Sequence, residues 1–200
     1  MKLTNDRVRQ MIKKGGERMA EFSEAEKIAL VEKAMVQYGE EIKRLIFTYV
    51  RDFAVVDDLF QEVFIIVYYN LDSFRGESEL KTWIYRIAIN KSKDYLRSFS
   101  TRLKNLMKLQ SSSVAEQAAN TEMVVMEGES QSELGALVLQ LPIKYREIII
   151  LFYYKEFSVE EISDILHMNK NTIKTRLNRG RSKLKELMVE RGYEDERLFR

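Results

Sequence analysis

Apolar side chains recur at steps of three and four through successive stretches of the chain, the spacing of one face of an α-helix. The first stretch runs from Ser23 to Arg51. Ser23 with Glu26 three residues on is a capping box, and Ile28, Val31, Ala34 and Met35 mark a stripe for burial. Gly39 allows a break, after which Ile42, Leu45, Ile46, Tyr49 and Val50 continue the stripe. Val55 to Asn70 is apolar nearly all round, which predicts a central, largely buried helix. Its polar exceptions, Asp57, Asp58, Gln61 and Glu62, share one edge. Burying carboxylates is costly, so that edge must face solvent or a partner. Leu71 to Leu80 is polar, holds Gly76 and is expected to be a loop carrying Phe74 and Arg75. Helical spacing returns from Lys81 to Ser100, where Trp83, Ile84, Ile87, Ala88, Tyr95 and Leu96 supply apolar surface among Lys and Arg.

From Thr101 to about Gln131 large apolar residues thin out and no helical pattern is sustained, as expected of a linker, flexible or partly helical. Ser132 to Leu141 resumes a helix, which Pro142 ends, or else Pro142 begins the next one. Tyr145 to Tyr154 (YREIIILFYY) is apolar enough to be the core against which the following stretch packs. That stretch, Ser158 to Leu187, predicts a short helix, a tight turn and a second helix. Ser158 and Glu161 form another capping box, Val159, Ile162, Ile165 and Leu166 a stripe, and Asn169 the N-cap of the second helix. The second helix is expected to bury Ile173, Leu177, Gly180, Leu184 and Leu187. It turns Asn171, Lys174, Thr175, Asn178, Arg179 and Ser182 outward, with Arg176 and Arg181 at the margins.

An outward face of Asn, Thr, Lys and Arg suits the DNA major groove, where cations meet phosphates or guanine and Asn pairs with adenine. An ordinary helical hairpin with a wet basic face has the same pattern, but the capping box, the short turn and the small Gly180 favour a helix-turn-helix. The net charge of only +2 means that nucleic-acid binding must come from such local clustering. With 45% hydrophobic residues the chain can form real cores, and one Pro with eight Gly fits a mostly helical protein. The absence of Cys excludes disulfides and thiolate chemistry, and the single His, His167, excludes histidine-rich metal sites. No apolar run approaches the ~20 residues that span a bilayer, and MKLTNDRVRQ lacks a signal peptide's apolar core, so a cytoplasmic location is expected. Residues 1–22 are basic and expected to be a frayed tail or an arm that touches DNA.

These pieces together resemble the extracytoplasmic-function sigma factors of bacterial RNA polymerase. The resemblance rests on Asp58 through Phe64, Phe74, Thr82 through Asn90 and Asp94 through Arg97 in the first half. In the second half it rests on Leu141 through Arg146, Ser158 through His167, Thr172 through Arg176 and Arg179 through Arg181. It implies an all-α protein of two small helical domains joined by a flexible linker, the second domain with a helix-turn-helix. Residues 1–22 would be an N-terminal extension, 23–100 the domain that recognises and melts the −10 element, 101–131 the linker, 132–190 the domain that recognises the −35 element, and 191–200 a tail.

The resemblance further implies that Asp58, Gln61 and Glu62 dock on the β′ clamp helices of core polymerase. Phe74, Arg75, Trp83, Arg86 and Asn90 would meet the −10 element. Lys170, Asn171, Thr172, Lys174, Thr175, Arg176, Asn178 and Arg179 would meet the −35 element, and the second domain would rest on the β flap. Partners would be core polymerase, promoter DNA and an anti-sigma factor that could hold the protein at the membrane. No small-molecule substrate, cofactor, metal or catalytic residue is implied. Asn171 departs from the glycine the family often has there, so its side chain adds a potential base contact. Two other readings remain open from the residues themselves: a helix-turn-helix regulator acting without polymerase, and a helical metal-dependent enzyme using the carboxylates of residues 57–62.

Overall fold

The computed structural model describes residues 22–74, 76, 78–109 and 133–193, with side chains through Leu103 in the helix that ends at Leu109. Among these residues there is no strand. The helices are α1 (Glu24–Val50), α2 (Phe53–Asn70), α3 (Leu80–Leu109), α4 (Glu133–Gln140), α5 (Ile143–Ile149), α6 (Val159–Leu166) and α7 (Lys170–Glu190). A 3-10 turn, Leu71–Ser73, follows α2, and a π-helical turn, Ile150–Tyr154, continues α5. The chain divides into two compact units, residues 1–121 and 122–200. The N-terminal extension up to Glu21, the remainder of the expected linker after Leu109, Arg75 and the end of the tail lie outside the described residues.

In the first unit α1, α2 and α3 pack on one another. The Ser23 hydroxyl accepts from the Glu26 N–H at 3.3 Å and the Glu26 carboxylate accepts from the Ser23 N–H at 3.0 Å, so the expected capping box starts α1. The helix then runs unbroken through Gly39. A glycine inside a helix costs about 1 kcal/mol, too little to break one of this length that is packed against two others. A Cβ at Gly39 would sit 3.4 Å from the Phe60 ring, an ordinary van der Waals contact, so Gly39 faces α2 without being needed for its approach. The buried stripe in the first half of α1 is Leu30, Ala34 and Tyr38, while Ile28 is 48% exposed and Met35 lies at the rim.

Arg51 in the left-handed region ends α1, and the Asp52 carboxylate accepts from the N–H groups of Ala54 and Val55 to start α2. Helix α2 buries one face only: Val56, Leu59, Val63, Phe64 and Val67 are inside, whereas Ile65 and Tyr69 face water. Its two neighbouring helices lie on one side and no other described element covers the opposite face, so apolar content overstated its burial. Ile84, Tyr85, Ala88 and Ile89 of α3 complete the core. Helix α3 continues to Leu109, nine residues past the expected end of the helix at Ser100, and no proline or glycine interrupts 101–109.

In the second unit Pro142 takes the N-cap position of α5, where its missing N–H leaves no intrahelical bond unmade. Buried Arg146 reaches back with Nε and Nη2 to the Leu141 carbonyl, at 3.1 and 2.9 Å, and closes the α4–α5 corner. Tyr145, Ile148, Ile149 and Leu151 are core, but Tyr153 and Tyr154 are more than a third exposed, since the widened turn rotates them outward. Helix α7 buries Ile173, Leu177, Gly180 and Leu184 as expected. Its last buried position is Met188, with Leu187 half-buried, because contact with the rest of the unit drifts round the helix. At Gly180 a Cβ would lie 3.1 Å from Cγ1 of Ile149, so the glycine sets how closely α7 lies on α5.

Candidate nucleic-acid interface

Three local devices build the helix-turn-helix. The Ser158 hydroxyl accepts from the Glu161 N–H at 3.2 Å, and Glu161 accepts from the Ser158 N–H at 2.8 Å, which fixes where α6 begins. His167 adopts the left-handed conformation (φ 50°) and ends α6. The Asn169 side chain accepts from the Asn171 N–H at 2.8 Å and starts α7. The Ser163 hydroxyl spans the turn by donating to the Met168 carbonyl, a contact the apolar pattern does not reveal.

The turn aims the start of α7 outward. Lys170, Asn171, Thr172, Lys174, Thr175, Asn178 and Arg179 are all exposed, while Ile173 and Leu177 between them are buried. Arg176 is the exception: its side chain is 29% exposed and its Nη1 stands 3.8 Å from Oε1 of Glu147, which is 3% exposed on α5. Lys170 is held by Glu160 of α6 at 2.9 Å, and that contact draws the Glu160 carboxyl below the usual carboxylate range. Farther along, Arg181 donates Nε to the Tyr153 hydroxyl at 2.6 Å and lies over the rings of Phe152 and Tyr153. Neither Glu147 nor Tyr153 was a candidate. The signal for Glu147 was available, however: a carboxylate inside YREIIILFYY invites the question of what neutralises it.

In the first unit, Trp83, Arg86 and Asn90 fall at i, i+3 and i+7 and share a side of α3 near its start. Trp83 and Arg86 are half-buried and Asn90 is exposed. Phe74 is not an open stacking surface here: it is 6% exposed, its ring centred 4.9 Å from that of Trp83 and tilted 34°. A phenyl ring at the mouth of a helical corner gains more from burial than from water. Nε of Arg86 and Oγ1 of Thr82, one helical turn apart, are buried with no hydrogen-bond partner among the described residues. Buried Tyr85 donates to Glu41 at 2.6 Å, and burial, then that bond, push its phenol far above the ordinary range.

Asp58, Gln61 and Glu62 are exposed along α2, as the pattern required. Glu62 pairs with Lys91 of α3. Asp58 and Glu62 border a cleft of about 230 Å³ that Val55, Leu59, Tyr95, Phe99 and Arg102 also line. Tyr95 and Phe99 stack there at 6.2 Å. No group of three His, Asp or Glu side chains able to hold a metal ion occurs among the described residues. None of their helices is long and apolar enough to cross a membrane.

The sequence pattern of Sigma-70 region 2 matches residues 35–102 and that of Sigma-70, region 4 matches residues 131–184. The chain is 33% identical over 157 residues to the ECF RNA polymerase sigma factor SigW of Bacillus subtilis (strain 168), covering 74% of this chain and 83% of that protein. It is 31% identical over 154 residues to the ECF RNA polymerase sigma-E factor of Escherichia coli (strain K12), covering 74% and 80%. In fold it is similar to the sigma factor RpoE solved in complex with the anti-sigma factor NepR from Bartonella quintana. That match has a TM-score of 0.63 and 23% identity and covers 79% of this chain and 96% of that one. It is also similar to CnrH solved with the cytosolic domain of CnrY, with a TM-score of 0.61 and 19% identity over 94% and 99% of the two chains.

Proposed function

Because the chain belongs to the extracytoplasmic-function RNA polymerase sigma factors, we propose that its two units divide promoter recognition and opening between them. The observation that carries the reading is the start of α7, where seven polar or cationic side chains face water over a buried Ile173–Leu177 seam. That helix enters the major groove of the −35 element, where Lys170, Lys174 and Arg179 meet phosphates or guanine and Asn171, Thr172, Thr175 and Asn178 meet base edges. Residues 132–190 form this reader and rest on the β flap.

Residues 23–100 recognise and melt the −10 element. Trp83, Arg86 and Asn90 contact it, with Phe74 and Arg75 on the adjoining loop. An aromatic ring that stacks on an unpaired base contributes about 1–3 kcal/mol, enough to offset the few kcal/mol of unpairing. Two buried polar atoms without partners among the described residues, on Thr82 and Arg86, support a polar guest at this end of α3. In the closed Phe74–Trp83 pair Phe74 is covered, so contact with a base requires the loop to open. Asp58, Gln61 and Glu62 dock on the β′ clamp helices, and the segment after α3 runs toward the RNA exit channel.

In this reading the protein has no active site of its own; the polymerase performs the chemistry, and holding both readers at once makes two weak contacts act as one strong one. It works in the cytoplasm, and an anti-sigma factor, as NepR is bound to RpoE in that structure, keeps it from the polymerase. Run-off transcription with purified core enzyme over a genomic library tests the whole: promoter-dependent starts are expected, and none at all would refute it. Lys174→Ala should lower the slope of log affinity against log salt by about 0.9 if Lys174 meets a phosphate, or relax one base preference if it meets a base. An unchanged slope with an unchanged preference would contradict the groove placement.

A further inference from the structure

We propose that Glu147 is a positioning residue for promoter reading: from α5 it holds the guanidinium of Arg176 so that Arg176 enters the groove in one orientation. The inference rests on the placement of α7 in the −35 major groove. Glu147 is 3% exposed and Arg176 29%, and Nη1 of Arg176 stands 3.8 Å from Oε1 of Glu147. A carboxylate so far from water is tolerated where charge or hydrogen bonds compensate it.

The pairing has a geometric consequence. Arginine presents a planar fork of five donors, and bidentate recognition of guanine requires that plane to be set. With Nη1 drawn toward Glu147 on α5, the swing of the guanidinium is narrowed on that side, and Thr172 and Arg179 are its neighbours one turn away along α7. At 3.8 Å the contact is an ion pair rather than a tight hydrogen bond, so Glu147 orients Arg176 without capturing it. A carboxylate beneath the reading surface also repels any phosphate that would pull Arg176 away from the bases. Arg176 thereby becomes a reader of sequence rather than a general clamp on the backbone.

The test uses the full chain with core polymerase on a promoter library randomised across the −35 element, comparing wild type, Glu147→Gln, Arg176→Ala and the double variant. Glu147→Gln keeps the shape and removes the charge. Discrimination at one base pair is expected to fall roughly five- to tenfold, within the range that one bidentate contact supplies, with use of other positions unchanged. The double variant should match Arg176→Ala within about twofold, since both act through one contact. A uniform loss across all sequences in Glu147→Gln would mean that the pair only supports the fold, and would overturn the proposal. If Arg176→Ala relaxes one base preference while Glu147→Gln retains the wild-type profile, positioning fails and the groove placement stands. If neither variant changes the profile, the role given to Arg176 fails, and the proposal with it. Should Glu147→Gln not fold, Glu147→Asp takes its place: it keeps the charge but draws it back by one methylene. The same loss at one position supports positioning, and a wild-type profile overturns it.

Discussion

Replacing Phe74 by Ala separates a core residue from a base-stacking one. The ring is 6% exposed and packs on Trp83 at 4.9 Å between centroids. Phe→Ala substitutions in cores cost about 3–5 kcal/mol. Phe74 sits after a short turn where neighbours can partly collapse into the space, so about 3 kcal/mol is expected. With a urea dependence of about 1.5 kcal/mol per molar for a unit of this size, the unfolding midpoint of the first unit should fall by about 2 M. The chain has one tryptophan, Trp83, so its fluorescence follows the first unit alone, while circular dichroism follows both. Emission of the folded variant should also shift to the red, because the phenyl ring that shields the indole is gone. A midpoint within about 0.5 M of wild type, with unchanged emission, would refute the packing described here and leave Phe74 free to stack on a base without any loop opening.

Ser158→Ala removes the acceptor for the Glu161 N–H at the start of α6 and should cost about 1 kcal/mol. Amide exchange in α6 would then quicken about fivefold, whereas wild-type protection would show that the cap contributes nothing. Tyr85→Phe breaks the bond to Glu41 and, as a bond to a charged group, should cost about 1.5–3 kcal/mol, a fall of 1–2 M in the urea midpoint by Trp83 fluorescence. The Tyr85 phenol is raised in the folded state. Its protonated form therefore stabilises the first unit below pH ~10, and that contribution drains away as pH rises beyond. Tyr85→Phe should make the loss of stability above pH ~10 shallower, and an identical slope would contradict the burial.

The comparison of pattern with structure turns on the range over which each cue acts. The capping boxes at Ser23 and Ser158 and the cap at Asn169 form as expected, because each is complete within three or four residues and needs nothing from the rest of the chain. The outward face of α7 was legible for a related reason, since a period of three and four separates Ile173 and Leu177 from the cations whatever lies opposite. The acidic edge of α2 was legible because carboxylates avoid burial.

Contacts between distant residues were not legible. Which side of an apolar helix is covered depends on its neighbours, so Ile65, Tyr69 and Ile28 were misplaced. Gly39 looked like a break and is a buried position inside α1, because packing against the neighbouring helices outweighs the weak helix propensity of one glycine. Phe74 was expected only as part of a polar loop, and its ring packs on Trp83. Local sequence thus determined where most helices begin and which face of α7 meets water. Tertiary structure decided which aromatic rings are covered and which buried carboxylate stands behind Arg176, since both depend on how separate elements pack. The helix-turn-helix could be read from its own thirty residues, but the partner of its Arg176 lies on another helix, twenty-nine positions earlier.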